Sequence, residues 1–403
     1  MRFDRGLRLL IAGSFLLAAP AVFGENRAEQ CTAAVISPAA SAAGGAVLWK
    51  NRDTAVLSNK VVFVRETPYS YAALINAEGA SGRQAWAGLN SAGFAVMNTV
   101  AYNLPQKSGE LQDLEGVIMA DALRTCATVE DFERLLRANL GPDLGARANF
   151  GVIDGSGRTC LFEVHNHGLE KFEASAAPEK YLVVTNFARS GRAGAGAGYL
   201  RFDRAGRLFA SLPPGRPIDF QTILTRFSRD CGHALLRNPD PEEWKNIPAE
   251  PGLWIHARHT INRPDTSAAV VIVGKNPEDP ESSATMWVIP GEPLTAVAVP
   301  LWVEAGRSPE PLWKGENAPL WEESARIKTL IHPIDEYDKN EYLLVSRLDN
   351  ADGTGFLPKL LEAEEAILRE TEAFLKTRPE PAEKADFQDR MAARALAAMK
   401  AVK

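Results

Sequence analysis

Cys31 is the residue that most narrows what this chain can become. It stands seven residues past the end of an N-terminal leader and opens the run Cys31-Thr32-Ala33-Ala34-Val35-Ile36, which leads through one turn to Lys50-Asn51-Arg52-Asp53. Removal of everything before Cys31 gives one residue both a thiol and a free α-amine. A thiol attacks carbonyl carbon once a base takes its proton, and the α-amine can be that base. Its reference pKa of about 7.7–8.0, against about 10.4 for a lysine amine, leaves roughly a tenth of such amines neutral at pH 7, and burial raises that share. An N-terminal cysteine is therefore a nucleophile with a base attached.

The leader itself reads as a signal peptide over residues 1–24. Arg2, Arg5 and Arg8 precede an apolar stretch from Leu9 to Phe23, with Ala19-Pro20-Ala21 or Gly24 offering small-residue cleavage positions. Residues 25–30 form a short propeptide. The apolar stretch is too short for a membrane span and Pro20 interrupts it, so export to the periplasm or the exterior is expected, with no stable membrane insertion. Lipidation of Cys31 fits badly, because Glu29 and Gln30 stand where small residues are needed. If Cys31 is a free nucleophile, Cys126, Cys160 and Cys231 leave room for at most one disulfide, and no CxxC pair marks a zinc ribbon or redox site. The net charge of −6, with no basic tract, argues against nucleic acid as a partner.

From Cys31 onward the pattern alternates short apolar runs with turns. Strands are expected at Ala33–Ile36, Ala46–Trp49, Val61–Val64 and Tyr71–Ile75, then a hairpin across Ala85–Asn90 and Phe94–Asn98. Helices follow at Leu114–Arg124 and, behind a Thr128 cap, to Asn139. A second hairpin joins Phe150–Ile153 to Cys160–Val164, Tyr181–Asn186 is a further strand, and Tyr199–Leu212 is helical. Late strands are expected at Ala268–Val273, Thr285–Ile289 and Thr295–Val303. Beyond about Glu304 the composition shifts to two amphipathic helices, near Pro358–Lys376 and Ala385–Lys400, parted by Arg378-Pro379-Glu380-Pro381.

Four segments together resemble the linear-amide branch of the N-terminal-nucleophile (Ntn) hydrolases, the group of choloylglycine hydrolases, penicillin V acylases, acid ceramidase-like amidases, isopenicillin N acyltransferases and secernin-type dipeptidases. They are Cys31-Thr32 running to Lys50-Asn51-Arg52-Asp53, Gly88-Leu89-Asn90-Ser91-Ala92-Gly93, Val184-Thr185-Asn186, and Leu200-Arg201-Phe202-Asp203-Arg204. The resemblance spans about Cys31 to Val303. It implies an α/β fold, the four-layer αββα sandwich, over 31–303, with a helical C-terminal extension over 304–403. It also implies roles: Cys31 as nucleophile and, through its α-amine, base; Asp53 holding that amine; Asn90 and Asn186 as oxyanion and substrate contacts; Arg201 favouring the thiolate. Lys50 stands where choloylglycine hydrolases carry an arginine, and Arg52 directly precedes Asp53. In a strand Lys50 and Arg52 share one face, and Asn51 and Asp53 the other.

Each of these residues has a plainer reading. Asp53 can cap a turn, Asn90 and Asn186 can serve a turn and a strand end, and Arg201 can be a surface charge. Three other features carry less chemistry. Gly194-Ala195-Gly196-Ala197-Gly198 has the spacing GxGxG rather than a dinucleotide loop's GxGxxG, and reads as a loop over the site. Glu163, His165 and His167 share a strand face, with His256 and His259 as further metal-ligand candidates, yet no ligand set has firm spacing, and no metal or cofactor is expected. Ser156 in Asp154-Gly155-Ser156-Gly157 lacks a nucleophile elbow.

The expected activity is hydrolysis of a linear small-molecule amide through an acyl-enzyme on Cys31, after autoproteolytic exposure of that residue. Trp86, Phe94, Tyr102 and Phe187 are candidates to wall an acyl pocket. The alternatives are an acyltransferase using the same acyl-enzyme, a dipeptidase-like peptidase, and a non-catalytic secreted binding protein with Cys31 in a disulfide.

Overall fold

The computed structural model describes residues 30–78, 83–333 and 341–403. The signal-peptide segment and residues 25–29 of the propeptide lie outside them. The chain enters through β1 (Thr32–Ile36) and β2 (Val47–Asp53), then runs a meander of β3 (Asn59–Val64), β4 (Tyr71–Asn76), β5 (Ala87–Asn90), β6 (Ala95–Val100), β7 (Arg147–Ile153), β8 (Thr159–His165) and β9 (Gly168–Glu173). Between β6 and β7 lie α1 (Glu115–Thr125) and α2 (Val129–Ala138). β10 (Tyr181–Val184) is followed by α3 (Tyr199–Ala210), α4 (Phe220–Thr225) and α5 (Pro241–Trp244), then by β11 (Trp254–His256), β12 (Thr266–Val273), β13 (Thr285–Ile289) and β14 (Val299–Leu301). The C-terminal part holds α6 (Pro319–Ile331), β15 (Tyr342–Leu344), α7 (Leu357–Leu375) and α8 (Pro381–Lys400).

Among the described residues two large antiparallel sheets form, beside the two-stranded β11–β15 pair. One is the seven-stranded meander β3 to β9; the other has the order β10-β1-β2-β12-β13-β14. The sheets stack face to face because β1 from Ala33 to Ile36 and the first half of β2, Val47–Trp49, are apolar on both faces. Val35 of β1 points at Gly151 of β7, where a Cβ would stand 2.6 Å from its Cγ1, so this approach requires glycine. Helices cover both outer faces. Behind the meander, Phe132 of α2 meets Phe94, Phe150 and Phe162 at ring separations of 6.1, 5.6 and 5.4 Å. Behind the second sheet, Trp49 of β2 packs on Phe209 of α3 and on Phe227, and Trp302 packs on Phe374 and Phe387 of α7 and α8. The order helix, sheet, sheet, helix is the αββα sandwich that the resemblance implies.

Local chemistry sets several element ends. Thr128 and Asp131 form a reciprocal capping box that starts α2, as the sequence predicts. Glu380 and Glu383 do the same for α8, with Pro381 at the first helical position, where its missing N–H costs nothing. Some expectations need correction. Thr295–Val303 is not one strand: only Val299–Leu301 pairs, at the sheet edge where Pro300 can sit without an N–H, while Val303–Ala305 turns as a 3-10 segment. α6 and the β11–β15 pair were not foreseen. Among the described residues no helix is long and apolar enough to cross a membrane.

Candidate active site

The site forms where β1 begins. Gln30 extends β1 by one further bond, its N–H donating to the Asp53 carbonyl at 3.1 Å. The β1–β2 register sets Thr32 opposite Asn51 and Ala33 opposite Lys50, so Cys31 falls opposite Arg52. Strand alternation then sorts the side chains. Cys31, Lys50 and Arg52 share the face turned to the meander. Lys50 reaches across to the Trp86 carbonyl and Asn98 Oδ1, both at 2.8 Å. Arg52 reaches Asn59 and Asn76 and lies 4.7 Å from the centre of the Trp86 ring. Gln30, Thr32, Asn51 and Asp53 occupy the opposite face, under the helices.

On that second face two buried arginines meet. Arg201, from the first turn of α3, donates through Nη1 to the Cys31 carbonyl at 2.6 Å and to Thr32 Oγ1 at 2.9 Å. Its Nη2 donates to Asn186 Oδ1 at 2.8 Å. α3 can start beside Arg201 because Gly198, at φ +83°, leaves room: a Cβ there would be 2.6 Å from Nη2. Arg263, from the turn ahead of β12, sets Nε 2.9 Å from Asp53 Oδ2, an ion pair whose angle falls short of a hydrogen bond. Thr266, opposite Asp53 across the β2–β12 ladder, donates to Oδ1 at 2.7 Å. Burial pushes the Asp53 carboxyl above its usual range, against the opposing pull of Arg263, Arg201 and Thr266. Burial, reinforced by Arg263, lowers Arg201 to about 10, which leaves it cationic at neutral pH.

Asn186 joins the two faces. Its Oδ1 accepts from the Cys31 nitrogen at 2.9 Å and its Nδ2 donates to the Val100 carbonyl of β6 at 3.1 Å. The Cys31 nitrogen here is the peptide nitrogen of the uncut chain and stands in for the α-amine of a cut one. The glycine-rich segment lies against this asparagine, Ala197 bridging Asn186.

Cys31, Asp53, Asn186 and Arg201 thus come together, and Lys50 approaches on the face that the thiol shares. In the uncut chain it is Asn186, and not Asp53, that accepts from the Cys31 nitrogen. Asn90 is placed elsewhere. Its Nδ2 donates to the carbonyls of Leu123 and Cys126, and its Oδ1 accepts from Ala92 and Phe94. All its hydrogen-bonding capacity ties the end of α1 to the β5–β6 turn, so no N–H remains for an oxyanion. Arg263 and Thr266 were missed. Their signal was the polar turn Asn262-Arg263-Pro264-Asp265-Thr266, whose place beside Asp53 depends on a non-local strand pairing.

A cavity of about 430 Å³ is lined by Trp86, the residue that Lys50 and Arg52 both meet; Cys31 is not itself among the lining residues. Thr54, Trp86, Val100, Tyr102, Glu115 and Arg147 are among its lining residues, and Thr54 directly follows Asp53. Of the four aromatic candidates, Trp86 and Tyr102 line it. Phe94 belongs to the core around Phe132, and Phe187 stacks on Tyr199 at 4.3 Å.

The remaining candidates have structural partners. Glu163 accepts from the backbone N–H groups of Arg189 and Ser190, and His167 bonds Glu110. His233, His256 and His259 gather with ring separations of 6.1–6.4 Å, but no group suited to a metal ion occurs among the described residues. All four cysteines are buried free thiols, so the disulfide that the binding-protein alternative needs is not formed.

No family model and no curated protein matches the chain. Among solved structures it is similar to a penicillin V acylase from Agrobacterium tumefaciens, at 17% identity over 68% of this chain and 86% of that one, with a TM-score of 0.41. It is also similar to the N-acylethanolamine-hydrolyzing acid amidase ortholog of Caenorhabditis elegans (15%, 60% and 92%, TM-score 0.38) and to a mutant conjugated bile acid hydrolase from Clostridium perfringens (10%, 67% and 92%, TM-score 0.36). At these identities and scores the likenesses assign neither family nor activity.

Proposed function

We propose that the chain is an exported hydrolase of the N-terminal-nucleophile type, cutting a linear small-molecule amide through a thioester on Cys31. The observation that carries this reading is the bond from the Cys31 nitrogen to Asn186 Oδ1, made inside a buried cluster with Arg201 and Asp53. A half-disulfide or a core cysteine has no use for a strand end so arranged.

The chemistry has two stages. In the precursor, Sγ attacks the Gln30 carbonyl carbon, the bond from that carbon to the Cys31 nitrogen breaks, and the nitrogen leaves as an amine with the thiol's proton. Water then hydrolyses the thioester, giving a Gln30 carboxylate and a free thiol. In turnover the amine takes the thiol proton, the thiolate attacks the substrate carbonyl, the substrate's amine departs with that proton, and water releases the acid. Asn186 holds the amine toward the thiol. The positive charges of Lys50, Arg52 and Arg201 around Cys31 favour thiolate over thiol. The cavity bordered by Trp86 and Tyr102 receives the substrate between apolar residues, which contribute about 0.8 kcal/mol per buried CH₂, and polar ones such as Glu115 and Arg147.

The test is a panel of acyl-amino-acid and acyl-anilide substrates assayed with wild type and Cys31→Ala, with mass spectrometry of the quenched enzyme. Hydrolysis by wild type alone, with acyl adducts on the peptide that begins at Cys31, is expected. Equal turnover by the alanine variant removes Cys31 from the mechanism.

A further inference from the structure

The first acyl-enzyme this thiol forms, on the reading above, carries Gln30 as its acyl group. What holds the Gln30 side chain therefore reports what the acyl side of the site can hold. Its Oε1 accepts from Arg263 Nη1 at 3.0 Å and from Arg201 Nη2 at 3.3 Å. Both guanidiniums are buried and approach from separate elements, α3 and the turn before β12. The Arg201 Nε–H is also buried and has no acceptor. Loss of the propeptide removes the Gln30 oxygen and leaves these donors around the emptied position. The nearby carboxylates do not fill it. Asp53 is held by Thr266, paired with Arg263 Nε and 4.0 Å from Arg201 Nη1, and Asp265 lies 4.0 Å from Arg263 Nη2 on the partly exposed side.

We infer that Arg201 and Arg263 form an acyl-side subsite for a terminal carboxylate or carboxamide. Gln30 occupies it in the precursor, and the substrate's acyl group occupies it in the mature enzyme. The inference rests on the hydrolase reading and deepens it. The acyl length is set by glutamine itself, so the preferred class is glutaryl-type amides, whose far carboxyl stands as far from the scissile carbonyl as the Gln30 carboxamide does. A carboxylate exceeds the amide oxygen as a ligand here, because two guanidiniums meet it with charge-assisted bonds. Maturation then uses the same recognition: the propeptide ends in a residue that mimics the substrate's acyl part.

Glutaryl and pentanoyl 4-nitroanilides, which match in chain length and differ in the terminal carboxylate, test this. Wild type should show kcat/KM roughly 10-fold or more higher for the glutaryl amide, as expected for charge-assisted bonds to a buried group. Free glutarate should inhibit at lower concentration than pentanoate, a measurement that needs no variant. In Arg263→Gln the glutaryl-to-pentanoyl ratio should collapse toward one, whatever becomes of the absolute rates through Asp53. Arg263→Lys should restore part of the ratio. In the precursor, Gln30→Leu should slow self-cleavage and Gln30→Glu should preserve it, while both release the same mature chain. Equal or better cleavage of the pentanoyl amide by wild type overturns the subsite and leaves the hydrolase reading intact. Cleavage of neither amide, with Cys31 still internal, overturns both.

Discussion

At the scale of single residues, two asparagines that look alike in sequence have opposite uses. Asn90 closes β5 and Asn186 stands two residues past β10, and each sits where the resemblance implies an oxyanion or substrate contact. Asn186 turns its oxygen to the Cys31 nitrogen and to Arg201, whereas Asn90 gives every atom to backbone groups around α1. Asn186→Ala removes the bonds to the Cys31 nitrogen and to Arg201 and should lower kcat by roughly 10- to 100-fold, the worth of one bond to a charged group at about 1.5–3 kcal/mol. Asn90→Ala should instead lower stability by about 2–4 kcal/mol, at about 1 kcal/mol per bond, and leave the activity of folded, processed molecules at the wild-type level. Steady-state kinetics beside urea denaturation separates the two, and a large kcat loss in a stable Asn90→Ala protein would contradict the assignment. Local sequence does not separate them, because the difference lies in which distant backbone each amide meets. Cys31, Asp53 and Arg201 were legible because they sit in a recognisable ordered set; Arg263 was not, because its partner Asp53 lies on a strand it meets only through the β2–β12 pairing.

At the scale of elements, β2 organises the molecule. Its alternation was readable: Lys50 and Arg52 do share one face, Asn51 and Asp53 the other. The other face runs into the C-terminal helices. Asn51 Nδ2 donates to the Ser228 carbonyl and Trp49 Nε1 to Ser228 Oγ, while the next residue, Arg229, makes a bidentate pair with Glu364 of α7 at 2.8 Å through both Nη atoms. Glu364 also accepts from the Ala298 N–H. Removing one member of a buried pair strands the other charge, so Glu364→Ala should cost about 3–5 kcal/mol in urea unfolding. A loss within about 1 kcal/mol, the scale of an exposed pair, would show the contact to be dispensable. The sequence located α7 and α8 by apolar periodicity but not the seat they occupy, since an isolated Arg and Glu more than a hundred residues apart give no local pairing signal.

At the scale of the whole molecule, the site exists only after the two sheets stack and α3 packs beside β10 and β1, bringing Cys31 and Asp53 to Asn186, Arg201 and Arg263. The layered fold was legible from alternating strands and capped helices. The convergence was not, because it is made by pairings of β1 with β10 and β2 with β12. Stability of this assembly should depend on acid. Burial alone would raise Glu292, but Lys328, His332 and Asn262 outweigh it and hold the carboxyl at about 2, against an ordinary 4.5. A depressed folded-state pKa gives stability that is present above the ordinary value and lost as pH falls toward the folded one. Unfolding free energy should therefore decline between about pH 4.5 and 2, and Glu292→Gln should flatten that decline. An unchanged slope in the variant would place the acid sensitivity elsewhere. The central claim, that Cys31 becomes the N-terminal nucleophile, is tested most directly by intact mass and N-terminal sequencing of the exported protein beside Cys31→Ala. The account predicts a wild-type chain beginning at Cys31 and an uncut, inactive alanine variant that still carries Gln30. Active wild-type protein with a stable start at Val22 or Glu25 would contradict it.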